Sequence, residues 1–254
     1  MGLPDDGLPG PGAFERAGLL AWPGIEVDWD GAWIRRAAGG YTQRANSVQS
    51  LDPADDAHVT TRIGASVDWF AARGLPPIFR ITPLASPAID QALDAQGWQS
   101  LDASQLFATA IEPGPADPRG ALYDLLDPRF LAAQQQLAGL SAARLEGMKA
   151  LLGVIAVPAR GIVLHGDDGA PLASALMAVA EDIVITGNVV TDARHRRQGH
   201  GAAMMRTGHA WAHQAGARIA ALNVAADNAA GQALYRSLGY AYQYDYHYRV
   251  PGTP

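Results

Sequence analysis

The 254-residue chain contains no cysteine, which excludes disulfide frameworks, thiolate zinc sites, iron–sulfur ligation and a cysteine nucleophile. Charge is sparse and tilts negative: 25 Asp and Glu stand against 19 Lys and Arg, a formal net charge of −6. General nucleic-acid binding needs a basic surface, so the balance argues against it. Lysine is nearly absent, with Lys149 the only one. No apolar run approaches the roughly 18–20 residues needed to span a bilayer. Met1 to Gly12 is acidic and rich in Gly and Pro, without the basic start and apolar stretch of a secretory signal. The chain reads as a soluble cytoplasmic protein, monomer or homodimer, with no metal, no nucleic acid and no membrane partner. Its chemistry must use oxygen, nitrogen or backbone groups.

Apolar residues make up 48% of the chain, and its length suits one large domain or two small ones. The clearest break is Glu112-Pro113-Gly114-Pro115-Ala116-Asp117-Pro118-Arg119-Gly120, whose prolines and glycines exclude both helix and central strand. In the first half, 26–36 and 40–51 read as two strands joined through Gly39-Gly40. Asp55 or Asp56 caps a helix with the stripe Val59, Ile63, Val67, Phe70 and Ala71. A strand at 77–82, a helix at 88–96 and a strand at 99–111 follow. The second half opens with helices started by Asp127-Pro128 and Ser141. Strands at 160–165, 171–180 and 183–191 come next, then a helix at 201–215, a strand at 218–224, a helix at 228–238 and a closing strand at 240–250. The class is α/β, a mixed sheet flanked by helices.

Arg196-Arg197-Gln198-Gly199-His200-Gly201 lies between a β-branched strand and an Ala- and Met-rich helix. Glycine lets a backbone approach a ligand closely, and a helix start presents unpaired N–H groups to an anion. With Arg194, Arg196 and Arg197 the loop reads as a pyrophosphate cradle, or else as a glycine-rich turn with solvated arginines. It lacks the Gly-Lys-Ser/Thr ending of a P-loop, and its spacing is not G-x-G-x-x-G.

A second motif, Asn228-Ala-Ala-Gly231-Gln-Ala-Leu234-Tyr235-Arg-Ser-Leu-Gly239-Tyr240, follows the next strand. Together the two motifs resemble the GNAT superfamily of acyl-CoA-dependent N-acyltransferases. The family's R/Q-x-x-G-x-G/A is matched by Arg196, Gly199 and Gly201. Its N-x-x-A-x-x-L-Y with a following Gly-aromatic pair is matched by Asn228, Leu234, Tyr235, Gly239 and Tyr240, with Gly231 replacing the usual alanine. The resemblance covers residues 121–250 and implies a GNAT fold. It also implies acetyl-CoA as co-substrate, its arm entering between the strands at 183–191 and 218–224, with Gly187 a bulge position. Backbone groups of Val189, Val190 and Thr191 would hold the arm and polarise the thioester carbonyl. Amides of Arg197, Gln198, Gly199, His200, Gly201 and Ala202 would hold the pyrophosphate, and Asn228 would contact the cofactor. Tyr235 would be the general acid that protonates the leaving thiolate, its alternative role being a residue packed beside the cofactor. The missing cysteine favours direct attack by the amine on the thioester.

A general base is harder to place. Glu181 and Asp182 stand at the beginning of the strand before the loop, in a turn, and His165, Asp245 and His247 are further candidates. His209 and His213, four apart on one helix, have metal-ligand spacing but no third ligand, which leaves a solvated helix face. Strand periodicity puts Tyr240, Tyr242, Tyr244, Tyr246 and Tyr248 on one face, as core or as part of an acceptor site.

The element order of the first half parallels that of the second, with Leu93 where Tyr235 stands and no glycine loop before its long helix. It reads either as a degenerate GNAT-like domain over 1–113 without a coenzyme A site, or as an unrelated α/β domain. A linker at 114–120 and a catalytic domain at 121–254 complete this division. The polar stretch Tyr41 to Val48, with Trp33 and Arg35 before it, is a candidate for acceptor binding or for internal pairing. The activity expected is transfer of an acetyl group directly to the amine of a small molecule or amino-acid-like acceptor. A non-catalytic acyl-CoA sensor and a protein or peptide N-acetyltransferase are the alternatives.

Overall fold

The computed structural model describes residues 7–252. In chain order the elements are α1 (Pro11–Ala21), β1 (Glu26–Asp30), β2 (Trp33–Ala37), β3 (Val48–Ser50), α2 (Val59–Ala71), β4 (Phe79–Ile81), α3 (Pro87–Ala95) and β5 (Gln99–Ala110), followed by β6 (Gly120–Tyr123), α4 (Pro128–Ala138), α5 (Ala142–Leu152), β7 (Ala159–His165), β8 (Pro171–Ala180), β9 (Ile183–Thr191), α6 (His200–Gln214), β10 (Ile219–Ala225), α7 (Ala229–Ser237) and β11 (Ala241–Val250). The helix starts read at Asp127 and Ser141 hold: Asp127 accepts from the Arg129 amide ahead of Pro128, and Ser141 accepts from the Arg144 amide.

All eleven strands form one sheet, ordered β1-β2-β3-β4-β11-β5-β10-β9-β8-β7-β6. The halves share it by exchanging their last strands. β5 closes the first half in sequence but pairs with β10, and β11 closes the second half but pairs with β4 as well as β5. Each half has one parallel contact, β3 with β4 and β9 with β10, at corresponding places in the element order. β8 lies inside the second half's sheet and is buried along nearly its whole length.

In the second half, one face of the sheet packs against α1, α4 and α5 through Phe14, Trp22, Phe130, Met148 and Leu151. The other packs against α6 and α7 through Met204, Met205, Leu222, Tyr235 and Tyr240. α2 and α3 cover the first half around Trp33, Phe70, Phe79 and Trp98.

Several local expectations are corrected. The segment 26–36 is a hairpin of two strands, because Gly31 turns it with φ of 59°. The segment 40–51 is mostly loop: a 3-10 turn at Gln43–Ala45 precedes the short β3. Neither Asp55 nor Asp56 caps α2. His58 holds the cap position with φ of 57° and no side-chain bond, while Asp55 accepts from the Ala32 amide at 2.7 Å and pairs with Arg62. α1 and β6 have no counterpart among the expected elements, and the second half begins with a strand rather than a helix.

The tyrosine strand also departs from simple alternation. Register slips by one between Tyr242 and Tyr244, where Gln243 is the extra residue of a bulge. Tyr240 therefore packs with the α6/α7 face and Tyr244 with the α1/α4/α5 face, while Tyr242 is exposed. One inserted residue moves every later side chain across the sheet.

Candidate active site

β9 and β10 run parallel from Ile183↔Ile219 to Thr186↔Leu222 and then separate. Beyond Thr186, β9 pairs only with β8, so the backbone groups of Val189 to Thr191 that point toward β10 have no strand partner on that side. The cause is local. Register against β8 slips between Ser174↔Val190 and Leu176↔Gly187, and Asn188 adopts φ of 52°. The left-handed residue of the bulge is thus Asn188, next to the Gly187 read from sequence. Gln134 of α4 anchors it, donating to the Asn188 carbonyl at 3.1 Å and to the Ser174 hydroxyl at 2.9 Å.

The glycine loop follows. Arg197 and Gly199 both have positive φ, 62° and 80°, and Gly199 caps α6 without a side-chain bond. The first bond across this cap runs from the Ala203 amide to the Gly199 carbonyl at 3.0 Å. The amides from Arg197 to Ala202 find no acceptor among the described residues, so they form a concave set of donors at the positive end of a fifteen-residue helix. Gly201 is needed for closeness: a Cβ there would meet Leu234 Cδ2 at 3.1 Å and Thr191 Oγ1 at 3.4 Å. Arg196 and Arg197 are exposed and have no carboxylate partner among the described residues. Arg194, read as a third free cation, is instead held by Asp192 at 2.8 Å.

On the same face, Tyr235 of α7 is 7% exposed, its ring 5.9 Å from that of Tyr240. Its hydroxyl has no hydrogen-bond partner among the described residues, and burial pushes its pKa up to about 12. Such a phenol is protonated at neutral pH and free to donate. Asn228 caps α7, its Oδ1 accepting from the Gly231 amide at 2.9 Å. A Cβ at residue 231, where the motif usually has alanine, would stand 2.8 Å from the Asn228 side-chain nitrogen; nothing in the structure explains the glycine.

Each base candidate is exposed in a turn or already paired with another side chain. Glu181 and Asp182 are exposed in the β8–β9 turn, at the end of β9 away from the splay. His165 is tied to the Tyr123 hydroxyl at 3.1 Å, Asp245 accepts from Gln105 and Tyr242, and His247 faces Asp90 at 3.3 Å. His209 is not on a solvated face. Its Nε2 lies 2.7 Å from the Tyr240 hydroxyl, and burial lowers its pKa to about 4. The described residues contain no cluster of three or more potential metal ligands.

On the opposite face, a cleft of about 570 Å³ runs between the halves, a size suited to a small ligand. Its walls include Thr42, Gln43 and Arg44, Asp102, residues 223–227 at the splayed end of β10, and Tyr246 and Tyr248. Part of the polar 41–48 stretch and part of the tyrosine strand therefore reach a cavity. The remainder is structural: Asn46 accepts from the amides of Ala38 and Gly40, Tyr41 packs against Gly147 of α5, and Trp33 is core. Arg35 is committed to Asp28 and Asp30. Asn223 and Asp102 had no motif to mark them, whereas Arg44 lies in the polar 41–48 stretch. Only the burial of charge in strands, as at Arg36 and Arg80, was a signal.

A family model described as "Probable histone acetyltransferase Rv0428c C-terminal" matches residues 12–249. The chain is 26% identical over 245 residues to "Uncharacterized N-acetyltransferase YobR" of Bacillus subtilis, covering 93% of this chain and 97% of that protein. It is 29% identical over 164 residues to "Probable histone acetyltransferase Rv0428c" of Mycobacterium tuberculosis, covering 62% of this chain and 50% of that protein. Among solved structures, a GCN5-related N-acetyltransferase from Kribbella flavida superposes with a TM-score of 0.68 at 18% identity, covering 95% of this chain and 94% of that one. A tandem GNAT protein from the clavulanic acid biosynthesis pathway superposes at 0.62 with 13% identity, covering 93% and 87%. These two show the GNAT fold and its tandem form.

Proposed function

The chain belongs to the Rv0428c C-terminal family of acetyltransferases and is a GNAT-type N-acetyltransferase; from that premise we propose that it transfers acetyl from acetyl-CoA directly to the amine of a small molecule or amino-acid-like acceptor. Residues 121–254 form the catalytic domain, 114–120 the linker, and 1–113 a degenerate GNAT-like partner without a coenzyme A site. It works in the cytoplasm, as a monomer or homodimer. No helix among the described residues is long and apolar enough to cross a membrane.

The observation that carries this reading is the gap beyond Thr186 and Leu222, with the unpaired amides of the glycine loop and the Tyr235 hydroxyl on one face and the cleft on the other. The donor set fits the co-substrate, because a pyrophosphate is matched by convergent N–H groups and two unpaired guanidinium groups. Arg196, Arg197, Gln198, Gly199, His200, Gly201 and Ala202 hold the pyrophosphate. Asn228 contacts the cofactor from α7, where its Nδ2 is left free by the cap bond. Backbone groups of Val189, Val190 and Thr191 hold the arm and stabilise the oxyanion. Bound acetyl-CoA supplies an activated thioester. The amine approaches from the cleft side, its nitrogen bonds to the acetyl carbon as the carbon–sulfur bond breaks, and Tyr235 donates its proton to the departing sulfur; the amine loses its own proton to solvent, from which the phenolate is reprotonated.

The test is a coenzyme A release assay with acetyl-CoA over a broad panel of amines, alongside calorimetric titration with acetyl-CoA. Turnover with a small amine supports the reading, binding without any turnover points to an acyl-CoA sensor, and absence of binding overturns it. A protein acceptor is the second reading, favoured by the name of the Mycobacterium tuberculosis relative. A lysine-bearing peptide in the same panel separates the two.

A further inference from the structure

The inner end of the cleft holds more positive charge than its surroundings neutralise. Glu15 of α1 forms a buried ion pair with Arg80 of β4, and it also accepts from Gln49 Nε2 at 2.8 Å and from the Tyr244 hydroxyl at 2.7 Å. One carboxylate thus offsets one guanidinium. Arg36 of β2 is 2% exposed and has only neutral partners, the Trp22 carbonyl at 3.1 Å and Gln49 Oε1 at 3.5 Å. Arg44 lies over the Trp22 ring at 5.7 Å and has no carboxylate partner among the described residues. The Nε atoms of Arg36, Arg44 and Arg80 and the Oδ1 of Asn223 are all buried without a hydrogen-bond partner.

Arg44 and Asn223 belong both to the open cleft and to a recess of about 10 Å³ behind it, where Arg36 and Arg80 lie. Asn223 is also the first β10 residue past the last parallel pair. Its side chain shares the face of Ala221, opposite that of Leu222 and Val224. The cationic end of the cleft therefore abuts the gap from the side opposite Tyr235. Burial and the neighbouring Arg80 lower the Arg36 pKa to about 9, outweighing the opposite pull of Glu15, which is paired with Arg80. An uncompensated charge in such a place is costly, and a bound anion would relieve it.

We propose that the acceptor carries a carboxylate on the same molecule as its amine, and that Arg44, backed by Arg36, binds that carboxylate at the inner end of the cleft. This rests on the acetyltransferase reading and narrows its substrate class. A guanidinium grips a carboxylate through two parallel N–H bonds, which fixes orientation as well as affinity. Asp102 and Asp227, on the walls of the same cleft, suit the ammonium end of such a molecule. A lysine-rich peptide would bring more positive charge to guanidinium groups that already lack partners.

The reaction products of such acceptors are N-acetyl amino acids, and these serve as probes. Acetyl-CoA and a set of N-acetyl amino acids with their methylamides are titrated calorimetrically into the full chain and into Arg44→Gln and Arg44→Lys. The expected result is at least one N-acetyl amino acid that binds about tenfold or more tighter than its methylamide. Arg44→Gln erases that preference, Arg44→Lys keeps part of it, and acetyl-CoA binds all three proteins alike. Equal binding of acids and methylamides, no binding by any acid, or an unchanged preference in Arg44→Gln overturns the proposal. Loss of acetyl-CoA binding by the unaltered chain strikes instead at the transferase reading beneath it, and removes both.

Discussion

Thr186 and Leu222 are the last partners in the parallel ladder between β9 and β10, and every feature of the candidate site is arranged around the point where they part. On one side stand the Tyr235 ring and the start of α6; on the other, Asn223 opens onto the cleft. Under the proposed reaction a thioester held in this gap would be reached from both faces of the sheet, so that the amine and Tyr235 would not compete for the same space.

Replacing Tyr235 with Phe is expected to lower kcat by about a hundredfold or more, the usual contribution of a positioned acid. Acetyl-CoA affinity stays nearly intact, because the ring and its packing remain. The active form is the protonated phenol, so activity tied to this group is lost only as pH rises through its pKa. With that value pushed up to about 12, the alkaline limb of kcat lies well above the ordinary tyrosine range. Unchanged turnover in the variant would remove the acid role.

Gly201→Val should abolish acetyl-CoA binding measured by calorimetry, since even its Cβ would stand 3.1 Å from Leu234 Cδ2 and 3.4 Å from Thr191 Oγ1. Gly199→Val tests the same loop by another route. Its Cβ meets nothing within 4 Å, but φ of 80° costs a β-branched residue about 1–2 kcal/mol or more and reshapes the donor set. Binding retained in both variants would sink the loop assignment.

Glu15→Gln leaves Arg80 buried without its counter-charge, and about 3–5 kcal/mol of stability should be lost in urea unfolding. The pH dependence has a definite sign. Arg80, Tyr244 and Gln49 hold the Glu15 carboxyl below its ordinary value of 4.5 against the opposing effect of burial. Its contribution is present above that value and is lost as pH falls through the lower folded-state pKa. Midpoints compared from about pH 7 down to pH 3 should therefore converge for the two proteins. A constant difference would argue against the ion pair as the source.

His209 has the opposite origin and a higher pH window. Burial holds its imidazole neutral, with the folded pKa near 4 against 6.5 for the free group. Between these values the unfolded chain binds the proton and the folded one does not, so stability should fall as pH drops from 6.5 toward 4. Melting curves of the unaltered chain should show this slope, and His209→Gln should flatten it. An equal slope in both would assign it to other groups.

Local chemistry is legible in the chain. The bounds of β8 and β9, the starts of α4 and α5 at Asp127 and Ser141, and the glycine loop ahead of α6 all follow from turn residues, caps and hydrophobic period. These signals act over a few residues, so a few residues suffice to read them. The two motifs likewise sit on the strand-helix junctions where their spacing puts them.

Other features depend on partners far apart in the chain. The bulge at Gln243 moves Tyr244 to the other face of the sheet from Tyr240, and no alternation pattern records an inserted residue. The exchange of β5 and β11 sets each against a strand of the other half, a pairing between residues about a hundred or more positions apart. Glu15, Arg36, Arg44, Arg80 and Tyr244 meet from five separate segments, and the charge they leave uncompensated is a property of that meeting. The glycine loop and the helix that carries Tyr235 can be read from the linear chain, because backbone conformation and helix capping are local. The cleft comes from long-range packing, which alone places charges from distant segments side by side.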